Sequence, residues 1–387
     1  MPNPLEKKFE EKFDIYGDIF NEKRLPELVR ILYEIPCYYL NNSLDKALNN
    51  DNESYSFIVR YIESKSFNAA VCDIEDGGLI CIHASVPILL FQACILYASR
   101  CNIENALPLE KDGKIIVFNK KIKLLGKLTF TLTPNNEIIK TYEDIIKFID
   151  LLEKSNEILQ YGFFLYEIAS RFMVMHESMH IILGHAGYLR NKLNMDVFFE
   201  LSNERESKLD SGSNQALEFL ADQNAAFGVL TQILQGNTLH EYGYMEPPNL
   251  AVSFRLFKLR AFNQSLCILF HMFPIRMEQK LSETRINSHP HPYVRMQWIN
   301  TQMGFEIEEA EFHEAAVRPF AYSMASLSYN FITPNEWMAA NNDNFSKQKN
   351  SFSDKMFVKI QKKAKKMQNK AWKYAPKFKG FYRGYNI

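Results

Sequence analysis

The sequence predicts a mainly helical α+β fold with a small sheet. Three observations support this prediction. Residues 142–298 carry apolar side chains mostly at helical spacing, residues 67–83 contain two apolar runs joined by a glycine turn, and "KLTFTLT" (127–133) alternates apolar residues with threonine. Hydrophobic residues at 47% and aromatic residues at 13% are ordinary for a globular chain, so we expect a folded protein.

The first sixty residues are predicted to be helical. In "LPELVRILYEIPCYYL" the apolar residues recur at helical spacing, and Pro36 is expected to end that helix. Residues 1–60 therefore form a predicted N-terminal helical region.

Extended structure is predicted to begin at Phe67. "FNAAVCDI", the turn "EDGG" and "LICIH" favour a hairpin in which Gly77 and Gly78 supply positive φ values. A helix from Val86 to about Arg100 follows, and then "KIIVF" and "KLTFTLT" as strands.

The helical pattern from residue 142 onward is interrupted by a polar stretch, Arg190–Ser213. A connection of that length inside a compact domain is typically mobile or functional. We take residues 61–334 as the main domain and 335–387 as a C-terminal tail.

The charge distribution separates this tail from the rest of the chain. Net charge is zero, with 45 basic and 45 acidic residues, but from Lys347 onward there are thirteen Lys and Arg against one acid, Asp354. The tail also interleaves lysines with aromatic residues such as Trp372. Such a segment can hold nucleic acid, bind an acidic protein, or lie against the acidic body of its own chain.

The sequence predicts neither a secretory signal nor a membrane-spanning helix. The N-terminus lacks an apolar core, and the most apolar segment, Ser85–Ser99, is too short to span a bilayer. The six cysteines form no CxxC pair. We therefore expect a soluble, cytoplasmic protein with free thiols and no membrane partner.

The stretch "HESMHIILGH" (176–185) carries the chemistry. On a helix His176 and His180 project side by side and can share one metal ion, whereas Glu177 points away from them and can act on water. Zinc lowers the pKa of water toward about 7, and a neighbouring carboxylate can take the proton and pass it to a leaving amine. The alternative is a chance string of buried histidines, which a random chain of this composition produces about once in a hundred cases.

A second motif favours the metal. Zinc needs a third protein ligand, and in "NQALEFLADQNAAF" Glu218 and Asp222 share one helix face. Glu218 can complete the metal site while Asp222 hydrogen-bonds a ligand histidine and fixes its tautomer.

HExxH followed by a helical ExxAD resembles the gluzincin metallopeptidases, especially their HtpX-like branch. His185 falls where that branch has a histidine, and "SHPHPYVRM" is similar to its Ser/Thr-His-Pro segment, with His289 followed by Arg295. The membrane helices of HtpX have no counterpart in this sequence. The resemblance spans about 140 residues, from Tyr161 to Asn300.

This resemblance implies a zincin-like fold and zinc-dependent endopeptidase activity on a protein substrate. It implies His176, His180 and Glu218 as Zn²⁺ ligands, Glu177 as general base, and Asp222 as the residue that orients the first histidine. It also implies an edge strand in the hairpin region that binds an extended peptide.

The remaining candidates keep alternatives open. His289 is either an oxyanion-stabilising catalytic residue or a turn residue, and Arg295 pairs most simply with an acid near the zinc helix, such as Asp222. His185 is better explained as a packed or hydrogen-bonded residue than as a ligand. The reserve candidates for oxyanion contact are His240, Tyr242 and Tyr244.

Size and the shared zinc motif also resemble the cytoplasmic Lit-like phage-exclusion peptidases, which implies a specific protein target and regulated, defence-related proteolysis. Two rival functions remain. One is a zinc-stabilised, non-catalytic protein whose tail binds nucleic acid or an acidic partner, with His185 or His289 as a fourth ligand. The other is a peptidase-derived scaffold that has lost turnover.

Overall fold

The structure of the protein is a computed structural model. It describes residues 4–40, 55–64, 67–75, 77–99, 101–108, 110–111, 114–115, 156–199, 209–235, 252–272, 294–296, 298–300, 303 and 354–376.

Helices dominate these residues. They are α1 (Pro4–Phe13), α2 (Glu27–Tyr39), α3 (Ser85–Ala98), α4 (Asn156–Ile182), α5 (His185–Leu193), α6 (Ser211–Gln235), α7 (Phe254–Met272) and α8 (Asp354–Ala371). The strands are β1 (Ser56–Ile62), β2 (Ala69–Ile74), β3 (Gly77–His83), β4 (Cys101–Asn102), β5 (Leu107–Pro108), β6 (Glu110–Lys111), β7 (Lys114–Ile115) and β8 (Phe198–Phe199). This composition confirms the predicted mainly helical α+β class.

The largest sheet has four strands in the order β1-β3-β2-β8. β2 and β3 form the predicted antiparallel hairpin, β1 runs parallel to β3, and β8 pairs antiparallel with β2. Every residue of β2 and β3 is buried because α1 covers one face and the helical layer covers the other. Burial on both faces explains why the hairpin sequence shows little apolar–polar alternation. Both hairpin strands have a neighbour on each side, although β8 pairs only with Ala70 and Val71 of β2. The peptide-binding edge strand expected in the hairpin stays a prediction.

The hairpin glycines have a different role from the one predicted. Gly77 and Gly78 belong to β3, and their φ values lie outside the left-handed region. A Cβ on Gly77 would lie 2.5 Å from the main-chain oxygen of Ser56, and one on Gly78 would lie 2.5 Å from the ring of Phe57. These glycines allow β1 to approach β3 closely.

Two predictions for the N-terminal region are wrong. α2 continues through Pro36 to Tyr39 instead of ending at the proline. Proline removes the hydrogen bond to the carbonyl four residues earlier, that of Leu32, and the hydroxyl of Tyr166 donates to this carbonyl instead. The chain from Ser56 is strand β1, so the prediction of helix up to residue 60 is wrong from Ser56 onward.

The helical layer is centred on α4, which packs against α3, α6, α7 and the sheet. The predicted helix after Val86 and the helical character of the chain between residues 142 and 298 are confirmed where the structure describes them. Strand β7 lies within "KIIVF", whereas "KLTFTLT" lies outside the described residues.

The described part of the basic tail folds as α8 and docks on α6 and α5. Ile360, Ala364, Met367 and Ala371 are buried in this contact, and Lys363 pairs with Asp210 at 2.5 Å. The sequence predicted three possible roles for the tail, and the structure shows one of them, packing against the rest of the same chain.

Helices of sufficient length and apolarity to cross a bilayer do not occur in the described part of the chain.

The six cysteines are all free, as predicted, and five of them are buried.

Candidate metal centre

The first motif lies on α4, a helix of 27 residues without internal proline. From Tyr161 to Ile182 nearly all of its side chains are buried, so it runs through the core. His176 and His180 are one turn apart on this helix and point in the same direction, with their ring centroids 4.8 Å apart. The local helix geometry alone therefore brings two potential metal donors together.

The second motif lies on α6, which packs against α4. Glu218 faces both histidines. Its Oε2 lies 3.3 Å from Nε2 of His176, its Oε1 lies 3.6 Å from Nε2 of His180, and the two Nε2 atoms are 3.1 Å apart. His176, His180 and Glu218 form a buried group able to hold a metal ion, as predicted. Each of these residues is at most 2% exposed.

These separations fit zinc. Tetrahedral coordination with zinc–nitrogen and zinc–oxygen distances of about 2.0–2.2 Å places neighbouring donor atoms about 3.4 Å apart. The observed separations of 3.1, 3.3 and 3.6 Å bracket that value. One carboxylate and two imidazoles also form a donor set that zinc commonly accepts.

Asp222 contacts the first histidine. It lies one turn beyond Glu218, and its Oδ1 is 2.9 Å from Nδ1 of His176. With Nδ1 carrying the proton toward this carboxylate, Nε2 keeps a lone pair directed at Glu218. The predicted contact between Asp222 and His176 is confirmed.

Arg295 supports Asp222 through the bidentate pair expected from the sequence. Its Nε and Nη2 donate to the two carboxylate oxygens at 2.8 and 2.7 Å, and its guanidinium lies 4.5 Å from the ring centre of Phe270. Burial alone would raise the pKa of Asp222, but Arg295 and the hydrogen bond from His176 outweigh it and hold that pKa below its usual value. Asp222 therefore stays ionised beside the metal donors.

His185 lies behind the second histidine and not among the donors. Gly184 adopts a left-handed conformation with φ +77°, which ends the helical run and lets His185 start α5. Nδ1 of His185 is 3.1 Å from Nδ1 of His180, on the side of that ring away from Glu218. Burial lowers the pKa of His185 to about 4, so the ring is neutral at pH 7. His185 is therefore buried and hydrogen-bonded, as predicted.

Glu177, the candidate general base, is 1% exposed on the same helix. It acts electrostatically on Cys81 of β3, where burial is the main cause of a raised thiol pKa and Glu177 adds to it.

Five of the seven predicted site residues contact one another: His176, His180, Glu218, Asp222 and Arg295. Glu177 is buried on the same helix as the two histidines. His289 lies outside the described residues, as do His240, Tyr242 and Tyr244. One contact was missed: Gln368 of α8 lies 3.3 Å from Nε2 of His185. No local sequence signal could have identified it, since 183 residues separate the two side chains.

Comparison with protein-family models, with curated proteins and with solved structures gives no match. The functional interpretation therefore depends on the geometry of this site.

Proposed function

We propose that this protein is a zinc-dependent endopeptidase with a zincin-like catalytic domain, similar to the HtpX-like gluzincins. The observation that carries the proposal is the convergence of His176, His180 and Glu218 at separations of 3.1–3.6 Å, with Glu177 on the same helix as the two histidines. A bound Zn²⁺ would supply Lewis acidity, polarising a peptide carbonyl and lowering the pKa of water.

Three side chains of the protein would perform the remaining steps. Glu177 would take a proton from the attacking water and deliver it to the leaving amine, the role that the resemblance implies for it. Asp222 would keep His176 in the tautomer whose Nε2 lone pair faces the metal. Arg295 would keep Asp222 ionised and in place.

The placement of His185 supports the catalytic proposal over a purely structural zinc site. A structural site uses four protein ligands, whereas a catalytic site keeps one position open. Among the described residues the donor group has three members, and His185 faces the opposite side of His180. His289, the other fourth ligand considered, lies outside the described residues.

Burial of the donors supports regulated activity of the kind that the Lit-like resemblance suggests. Glu177 and the three proposed ligands are each at most 2% exposed. A defence-related protease with one specific protein target fits this restricted exposure better than one that cleaves every accessible peptide.

The tail offers a surface for a second candidate function, binding of nucleic acid or of an acidic partner. Its described part presents six exposed lysines, namely Lys359, Lys362, Lys365, Lys366, Lys370 and Lys373. Their clustering on the solvent side of α8 and of the turn that follows it favours an anionic partner.

The test of the proposed function compares the unchanged chain with Glu177→Gln, His176→Ala and Glu218→Ala. Zinc content is measured by mass spectrometry after reconstitution, and cleavage is measured on a proteome-derived peptide library. We expect about one zinc per chain in the unchanged protein and in Glu177→Gln, weaker binding in the other two variants, and cleavage only by the unchanged protein. A folded chain that takes up no zinc would refute the proposal.

A further inference from the structure

Gln368 links the C-terminal helix to the turn that follows the metal-binding helix. It is 4% exposed, and its amide makes two contacts. Nε2 donates to the main-chain oxygen of Leu183 at 3.1 Å, and Oε1 lies 3.3 Å from Nε2 of His185. One side chain of α8 thus holds both the end of the metal helix and the imidazole behind its second histidine.

The direction of this hydrogen-bond chain is fixed by chemistry. A main-chain oxygen can only accept, so the NH₂ group of Gln368 must face Leu183 and its carbonyl must face His185. Nε2 of His185 must then carry a proton. In the neutral ring its Nδ1 is an acceptor, which requires the proton between the two histidines to reside on Nδ1 of His180. That tautomer leaves the lone pair of His180 on Nε2, the atom that faces His176 and Glu218.

The backbone around this chain is closely packed, so Gln368 has a defined position. A Cβ on Gly184 would lie 2.4 Å from the main-chain oxygen of Ala371, and one on Gly187 would lie 2.7 Å from that of Tyr374. The segment that follows Gln368 therefore lies directly on the turn between α4 and α5. Movement of α8 would displace the hydrogen-bond partner of His185.

We propose that Gln368 is a positioning residue for the metal, acting through His185 to fix the tautomer and orientation of His180, so that docking of α8 sets the metal affinity. The two ligand histidines would then be held by different elements: His176 by Asp222 of α6, and His180 by the relay from α8. This inference rests on the metal binding in the proposed function, but not on peptide hydrolysis.

The test measures the zinc dissociation constant by competition with a chromophoric chelator. Gln368→Met keeps the size of the side chain but removes both hydrogen-bonding groups, and His185→Phe removes the acceptor for His180. We expect zinc to bind 10–100-fold more weakly in both variants, the usual effect of losing a hydrogen-bond partner of a metal ligand. Gln368→Glu, which can still accept from His185 but no longer donates to Leu183, should recover only part of the affinity.

The matched control is Asn369→Met, which makes the same kind of change at the exposed neighbouring position. It should bind zinc like the unchanged chain. Unfolding of the metal-free proteins shows whether Gln368→Met destabilises the fold. A positioning role requires that zinc binds more weakly under conditions where the metal-free variant is still fully folded.

A second readout works on the unchanged chain and needs no variant to fold. Long-range ¹H–¹⁵N correlation spectra of the zinc-loaded, histidine-labelled protein should show His185 protonated at Nε2 and His180 protonated at Nδ1. The opposite tautomer of His185, or zinc binding by Gln368→Met within twofold of the unchanged chain, would overturn the inference. If the unchanged chain binds no zinc, the proposed function fails as well. If it binds and cleaves while Gln368→Met behaves identically, only the relay fails.

Discussion

Removal of Arg295 should destabilise the metal-free fold far more than removal of an exposed arginine. Arg295 is 1% exposed, donates twice to Asp222 and lies 3.8 Å from Glu218. Arg295→Met leaves two buried carboxylates without this cation, and breaking a buried ion pair in this way costs about 3–5 kcal/mol. Asp222→Asn combined with Arg295→Met removes a charge from each side, so the double variant should lose less stability than the two single changes added together, by about 0.5–3 kcal/mol.

The assay is urea unfolding in EDTA, which removes any contribution from bound metal. Fluorescence of Trp298 reports on this region because its indole lies 5.2 Å from the ring of Phe219 on α6. The matched control is Arg30→Met: Arg30 pairs with Glu34 at 2.8 Å, but at the surface, where such a pair contributes about 0–1 kcal/mol. Equal losses for Arg295→Met and Arg30→Met, or strict additivity in the double variant, would refute the reasoning.

Two further predictions concern the contact between α8 and the rest of the chain. Gly184→Ala should lower the melting temperature and weaken zinc binding, since the residue has φ +77° and its Cβ would lie 2.4 Å from the oxygen of Ala371; a melting temperature equal to that of the unchanged chain would contradict this. Asp210→Ala should cost on the order of 1 kcal/mol, because Asp210 accepts from Ser213 at the start of α6 and pairs with Lys363. Lys363, Ser213 and other contacts hold the pKa of Asp210 at about 2, below the 3.8 of the unfolded chain, so this contribution is complete above about pH 4 and is lost as pH falls toward 2. The check is to measure the urea midpoints of the unchanged chain and of Asp210→Ala between about pH 2 and pH 4. A difference between the two midpoints that grows on acidification would contradict the predicted pH dependence.

The three side chains that could hold a metal ion were predictable because their positions depend on local helix geometry. HExxH places His176 and His180 on one face, and the four-residue spacing of Glu218 and Asp222 does the same on α6. Arg295 could be anticipated as a partner for a buried acid. These predictions required only a period of 3.6 residues and the chemistry of zinc.

Packing between distant segments could not be predicted in the same way. Pro36 remains inside α2 because Tyr166, 134 residues from Leu32, donates to the carbonyl that the proline leaves available. Gly77 and Gly78 are required by the proximity of β1 rather than by a turn. Gln368 reaches His185 across 183 residues, and no periodic pattern encodes such a contact.

Residues that meet at the candidate metal centre are far apart in the sequence, and this affects the order in which the site forms. α4 and α6 carry the three donors, but the residues that orient the two histidines include Arg295, 73 residues beyond Asp222, and Gln368, later still. Contacts between distant segments close large loops and therefore form slowly. A chain under synthesis exposes its donors well before it acquires these supports, so we expect tight metal uptake to be a late event that follows docking of α8.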